Sequence, residues 1–318
     1  IAAAVKNGAV LTSEMELFFD LCPCHIIAVT GSDGKTTTTT ITSELLRAEG
    51  KTVYVGGNIG APLLPLAEQM TPDDYAVVEL SSFQLQTMKK SPERCIITNI
   101  TPNHLNWHTD MDEYIAAKKN ILKHVGRAVL NYDNDITREQ SGRALGEVRM
   151  FSRRSTVENG VYLRGEEIVR CCDGAETVVM TTADIKLPGI HNVENYMAAI
   201  AALEGLVDDE TIRSFAREFG GVEHRIEFVR EKDGVKYYNS SIDSSPNRTK
   251  NTLSVFKNKV VMISGGKDKG IPYDEIGPDG LLKNTAVRLD MLTKKAYVQS
   301  KSFDEVASLS RRAGEMAS

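Results

Sequence analysis

The chain carries no excess of basic charge. Its 38 lysines and arginines are outnumbered by 43 aspartates and glutamates, for a formal net charge of −5. That leaves no electrostatic footprint for nucleic acid or for an anionic membrane surface. A cysteine framework is missing too. The five cysteines are Cys22, Cys24, Cys95, Cys171 and Cys172. Cys22-Pro-Cys24 is tighter than the usual zinc pair, and no second pair with histidines follows it. They read as free thiols of a reducing compartment. No apolar run approaches the roughly 18 residues needed to span a bilayer. The first residues, IAAAVKNGAV, lack the charged start and long apolar centre of a secretory leader. Neither an internal repeat nor a low-complexity tract appears beyond one run of threonines. The expectation is a cytoplasmic protein with no nucleic-acid or membrane partner. Because the chain begins at Ile1 rather than a methionine, a fragment is one reading.

What is present suits a globular α/β protein. With 318 residues, 41% of them hydrophobic, it can bury a sizeable core, and the length favours two domains. HIIAVTG (25–31), KTVYVGG (51–57), YAVVELSS (75–82), RCIITNI (94–100) and RAVLNYD (127–133) are strand-like, with helical stretches between them. One helix is expected from about Asp112 to Lys123 and another over 191–206. That alternation predicts a doubly wound, mostly parallel sheet of the P-loop type. Residues 148–187 change character and predict a small antiparallel flap or insertion. After FGGVEHR the pattern restarts with GVKYYNSS (234–241) and KVVMISGG (259–266). We therefore expect a central domain over 1–221 and a smaller, Rossmann-like α/β domain over 222–318. Residues 281–318 show no clear buried strand.

The stretch VTGSDGKTTTTT (29–40) joins the first strand to a helix. Gly31 and Gly34 permit unusual dihedrals, so backbone N–H groups can converge on an anion at the positive end of the helix. Lys35 supplies a point charge for the outer phosphates, and the Thr36 hydroxyl can reach Mg²⁺. The spacing G-x-x-G-K-T is shorter than the common G-x-x-x-x-G-K-[ST], and a plain turn is the alternative. The strand before it and the threonines after it favour ATP.

Three later residues suit a metal–phosphate centre. Glu79 ends the strand YAVVE, where its carboxylate faces the ligand-binding carboxyl edge of a doubly wound sheet; an exposed edge glutamate is the plain alternative. His104 follows the next strand and falls at the same edge, although most loop histidines are surface residues. Lys118 lies on the following helix beside Lys119, where a solvated charge run is the default.

The segments GSDGKTT, GGNIG (56–60), ELSSFQL (79–85), TPNHL, YIAAK (114–118), HNVEN (191–195) and EHRIE (223–227) resemble, in this order, those of the Mur ligases. These are ATP-dependent amino-acid ligases of peptidoglycan synthesis. The pattern is most similar to the branch that joins D-glutamate to UDP-N-acetylmuramoyl-L-alanine. The resemblance runs from about Ile26 to Lys269. It implies that Gly31, Ser32, Asp33, Gly34, Lys35, Thr36 and Thr37 cradle ATP, with Asn192 and Asn195 near the adenine and Arg225 entering from the second domain. Thr36 and Glu79 are expected to hold one Mg²⁺, and His104 with a CO₂-carbamylated Lys118 to hold or orient a second. Lys35, Lys118 and His104 are the expected catalytic residues. Asn58 and Ser81 correspond to positions lining the γ-phosphate and the muramoyl substrate, and Lys269 to one meeting the incoming amino acid. The family resemblance also implies a monomer.

The departures are specific. The family's N-terminal uridine-nucleotide domain has no counterpart here. In NSSIDSSPN (239–247), Ser240 stands for an expected aspartate and Ile242 for a lysine, with Asp243 a possible compensation through a shifted loop. Asn103 and Asn106 stand where aspartates are common, and the segment after about Gly280 does not follow the family. Two alternatives stay open: a sister ligase with another acceptor, and an ATP-binding fragment without ligase activity.

Overall fold

Strands buried on both faces are what a parallel sheet covered by helices demands, and four such strands form the centre of the molecule. The computed structural model describes residues 6–103, 107–222, 224–232, 234–241, 246–256, 260, 262–264, 286–290 and 295–298. It divides into two compact units, Ile1–Val222 and Glu223–Ser318.

In the first unit, helix α1 (Glu14–Leu21) precedes β1 (His25–Thr30), α2 (Lys35–Ala48), β2 (Val53–Gly57) and β3 (Tyr75–Glu79). Then come α3 (Ser82–Thr87), β4 (Arg94–Ile97), α4 (Met111–Lys119), β5 (Arg127–Asn131), the short α5 (Asp135–Arg138) and β6 (Glu147–Ser152). Strands β7 (Gly160–Arg164), β8 (Glu167–Cys172) and β9 (Ala175–Thr181) lead to α6 (Ile190–Ala202) and α7 (Asp209–Glu218). All nine strands share one sheet in the order β2-β3-β1-β4-β5-β6-β7-β8-β9. Strands β1 to β7 run parallel, and β8 and β9 return antiparallel.

The two-residue alternation of the strands builds two cores. Ile27, Val29, Val77, Ile96 and Val129 face one side with Ile41 and Leu45 of α2 and Tyr196 and Ile200 of α6. Ile26, Ala28, Ala76, Val78, Cys95, Ile97, Ala128 and Leu130 face the other with Phe18 of α1, Leu85 of α3 and Tyr114 of α4. Each fully buried Val, Leu or Ile contributes about 1.5–3 kcal/mol. This is the doubly wound, mostly parallel sheet that the sequence predicts. The chain leaves β1 to build β2 and β3 on one side and returns to build β4 on the other. The carboxyl ends of β3, β1 and β4 therefore flank the switch point where such folds bind ligands.

The structure corrects three expectations. Residues 148–187 are antiparallel only over β7 to β9, and they extend the main sheet, because β6 and β7 pair parallel. The helix expected to reach Lys123 stops at Lys119 and tightens into a 3₁₀ turn over Asn120–Leu122. The helix expected over 191–206 ends at Ala202.

The second unit holds the antiparallel pair β10 (Glu227–Lys232) and β11 (Val235–Asn239), helix α8 (Pro246–Val255), and a three-stranded sheet. In that sheet β13 (Ala286–Asp290) lies between a parallel β12 (Met262–Ser264) and an antiparallel β14 (Lys295–Val298). Two strands lie within the stretch after residue 281.

Candidate functional site

The loop between β1 and α2 is shaped by two glycines that nothing larger could replace. Gly31 has φ 147°, and a Cβ there would stand 1.9 Å from Thr98 Oγ1. Gly34 is the N-cap of α2 at φ 81°, and its Cβ would meet Asn195 Oδ1 at 2.6 Å. A glycine N-cap leaves the first turn of α2 without a side-chain cap, so the helix presents its partial positive end at the loop.

The loop is braced from outside. Ser32 N–H donates to Asn99 O (2.9 Å) and Asp33 N–H to Asn99 Oδ1 (2.9 Å). Thr98 Oγ1 donates to Asp33 O (2.6 Å). The Ser32 side chain is buried, with its Oγ 2.9 Å from Thr101 O and 2.8 Å from the Tyr114 hydroxyl. Ser32, expected among the phosphate contacts, therefore spends both its hydroxyl and its N–H on holding the loop's shape.

Two lysines converge on one carbonyl. Lys35 Nζ donates to Gly31 O (2.9 Å) and Ser32 O (3.0 Å). Lys118 Nζ donates to the same Gly31 O (2.9 Å) and to Thr30 Oγ1 (3.2 Å). Lys118 is 1% exposed, not the solvated residue that its position beside Lys119 suggests by default. Burial, reinforced by the Lys35 ammonium, holds its amine well below the ordinary lysine pKa; the Glu79 and Asp33 carboxylates oppose this. The Tyr114 ring lies one helical turn back, 4.9 Å from the nitrogen.

Glu79 ends β3 and is 1% exposed. Its Oε1 accepts from Asn58 Nδ2 (2.8 Å), while Oε2 is buried with no hydrogen-bond partner. Asn58 N–H also donates to Glu79 O (2.8 Å). That approach explains Gly57 of GGNIG, since a Cβ there would lie 2.2 Å from Glu79 O. Asn58 thus orients the carboxylate. Ser81 is the N-cap of α3 in a capping box with Gln84, whose Oε1 accepts from Ser81 Oγ (2.8 Å). The S-x-x-Q spacing was the available signal for that role.

Asn192 and Asn195 are buried on α6. Thr38 Oγ1 of α2 donates to Asn195 Oδ1 (3.1 Å), Asn195 Nδ2 to Asn192 Oδ1 (3.0 Å), and Asn192 Nδ2 to Pro188 O (2.6 Å). Their amides tie α6 to α2, and Asn195 Oδ1 lies against Gly34 at the end of the glycine loop. Thr37 is buried and Thr36 partly so. His108, unremarked in the sequence, is buried with Nε2 2.9 Å from Ser82 Oγ, and its ring stacks on Phe83. Arg225 belongs to the second unit, in a turn whose neighbours His224 and Ile226 have φ 63° and 49°. The Ile226 N–H donates to Ser240 Oγ (3.1 Å), so the serine in place of the expected aspartate supports that turn. His104, Asn106, Lys269, Ile242 and Asp243 lie outside the described residues.

Gly31 to Thr37, Asn58, Glu79, Lys118 and Asn195 are thereby gathered around the carboxyl edge of β1 and β3. Residues 29–203, which carry this edge, match the Mur ligase middle domain. The chain belongs to the Mur ligase family. Among curated Mur ligases, it is 53% identical to the UDP-N-acetylmuramoylalanine–D-glutamate ligase of Acetivibrio thermocellus over 281 residues, 87% of this chain and 60% of that one. It is 51% identical to the Clostridium kluyveri protein of the same name, over 95% of this chain and 66% of that one. The chain thus spans about 60 to 66% of the length of these relatives. Solved Mur ligases share the fold. MurF from Acinetobacter baumannii aligns with a TM-score of 0.62 at 21% identity, over 81% of this chain and 61% of that one. A pseudomurein peptide ligase type C from Methanothermus fervidus gives 0.59 at 19%, over 78% and 60%.

Among the described residues no cluster of three or more His, Cys, Asp or Glu forms a closed metal cage. Mg²⁺ does not need one, since it takes one or two protein ligands and completes its shell with water and phosphate oxygens. The unpartnered Glu79 Oε2 and the Thr36 hydroxyl are donors of the right hard-oxygen kind. Also among the described residues, no helix is long and apolar enough to cross a membrane.

Proposed function

We propose that the full gene product is an ATP-dependent ligase that joins D-glutamate to UDP-N-acetylmuramoyl-L-alanine through an acyl phosphate. The observation that supports it most is the pairing of a glycine loop and lysine with a buried, half-satisfied carboxylate at one sheet edge. The D-glutamate acceptor rests on the names of the relatives.

A carboxylate cannot be attacked by an amine until one of its oxygens can leave. In this reading the first turn of α2 and Lys35 hold the β- and γ-phosphates of ATP and offset their charge. A substrate carboxylate oxygen attacks the γ-phosphorus, and the bond to the β–γ bridging oxygen breaks, releasing ADP. The D-glutamate amine then attacks the acyl carbon and loses a proton. Phosphate departs with the former carboxylate oxygen, leaving an amide. Asn58 holds Glu79 in place throughout. Thr36 and Glu79 would hold Mg²⁺, which supplies Lewis-acid charge neutralisation at the transferring phosphoryl. Lys118, whose amine burial holds well below the ordinary lysine pKa, would take up CO₂; with His104 its carbamate oxygens would serve a second Mg²⁺. We place the enzyme in the cytoplasm as a monomer, with two small-molecule substrates besides ATP.

The test is ADP release by the product of the complete gene, with ATP, Mg²⁺, bicarbonate and UDP-N-acetylmuramoyl-L-alanine. D-Glutamate, L-alanine or a diamino acid is offered separately. Release only with D-glutamate is expected. Release with another acceptor would move the protein to a sister branch, and ATP binding without release would leave a nucleotide-binding module. Lys118→Ala should abolish release, and short-chain carboxylic acids should restore part of it. Absence of any rescue counts against the carbamate.

A further inference from the structure

Three sulfur atoms, two from one Cys-Pro-Cys turn and one from a distant segment, meet at the opposite end of β1. Cys22 follows α1, Cys24 precedes β1, and Met70 closes the 3₁₀ turn Leu64–Gln69. Cys22 Sγ lies 3.0 Å from Cys24 Sγ and 3.7 Å from Met70 Sδ, and Cys24 Sγ lies 3.8 Å from Met70 Sδ. Cys24 and Met70 are buried, while Cys22 is only partly buried and gives an entry path. We propose that Cys22, Cys24 and Met70 form a three-sulfur site for a soft monovalent cation, Cu(I).

The geometry requires little change. Three sulfurs at about 2.3 Å from a central ion, spread evenly around it, stand about 4.0 Å apart. The two distances to Met70 already approach that, and the third must lengthen by about 1 Å. Pro23 fixes φ between the two cysteines and keeps Cys22 extended, at ψ 119°. The chelate is thus partly preorganised.

The donor set selects the ion. Thiolate and thioether sulfur suit Cu(I), whereas zinc in a structural site takes a tetrahedral fourth ligand and often nitrogen. Two nearby polar groups have other partners. His25 Nδ1 pairs with Glu93 Oε2 at 2.5 Å, and Asp74 Oδ2 accepts from Thr71 N–H at 2.8 Å. A disulfide would join the two cysteines but leave Met70 unexplained, and it needs an oxidant. Six strand residues, about 20 Å, separate this site from the glycine loop, so occupancy is a property distinct from the ligase reaction.

The test is an anaerobic titration of the reduced, complete protein with Cu(I) against bicinchoninate. One copper should be withdrawn per chain, with a thiolate-to-copper ultraviolet band and three sulfurs at about 2.3 Å by X-ray absorption. Cys24→Ser should abolish retention. Met70→Leu, which conserves volume and should leave the circular dichroism unchanged, should weaken binding by at least about tenfold. The proposal is overturned if the wild type withdraws no copper, or if Met70→Leu binds as tightly. It is overturned equally if a Cys22→Ser, Cys24→Ser double variant still retains the ion, or if Zn(II) binds as tightly as Cu(I).

Discussion

Lys118 and Gly34 show how single residues serve the site at the expense of stability. A lysine whose pKa is lower in the folded chain than in the unfolded one weakens folding as pH falls from the ordinary lysine value towards its lowered value. The slope is up to about 1.4 kcal/mol per pH unit. Lys118 is buried and lowered in this way, and Gly31 O keeps Lys35 as a donor without it. Lys118→Met is therefore expected to be inactive yet to melt above the wild type at pH 7, with the advantage shrinking towards pH 10. Thermal melts across that range check it, and no advantage at pH 7 would mean that the buried amine stays protonated. At Gly34, alanine adds left-handed strain of about 1–2 kcal/mol and a clash with Asn195 Oδ1. Gly34→Ala should weaken ATP binding at least about tenfold, about 1.4 kcal/mol, by calorimetry.

At the scale of elements, the sheet edge is assembled by short devices at strand and helix ends. Glu79 ends β3, Asn58 follows β2 and reaches back to it, and Ser81 caps α3 two residues on. Ser81→Ala should cost about 1 kcal/mol of stability by denaturant titration, as losses of N-caps do. If Ser81 instead contacts substrate, the loss will fall on KM with stability unchanged. Much of this level was legible. Gly31, Gly34 and Lys35 announce a phosphate loop by spacing, and Glu79 stands out as a charge ending an apolar run. Asn58 as the holder of Glu79, Thr98 and Asn99 as braces, and Tyr114 behind Ser32 were not. Their partners lie 21 to 82 positions away, beyond any local period.

For the whole molecule, two cores on opposite faces of one sheet make the first unit self-sufficient. Among the described residues, the members of those clusters all come from positions 15 to 219. Residues 1–222 expressed alone should unfold in one cooperative transition by circular dichroism and calorimetry. A broad, non-cooperative melt would show that the second unit is needed for the fold. The chain's own pattern determined the alternation of strands and helices, the two-sided burial of β1, β3, β4 and β5, and the glycine loop. Each depends on dihedral preference and on hydrophobic repeats within a few residues. Tertiary structure alone decided that β6 to β9 extend the same sheet, that Lys118 is buried rather than solvated, that the asparagines of α6 tie it to α2, and that Met70 joins Cys22 and Cys24. Those outcomes depend on which distant groups meet when the sheet closes over its helices. A hydrogen bond or a sulfur contact is chosen by proximity in space, and sequence distance carries no record of it.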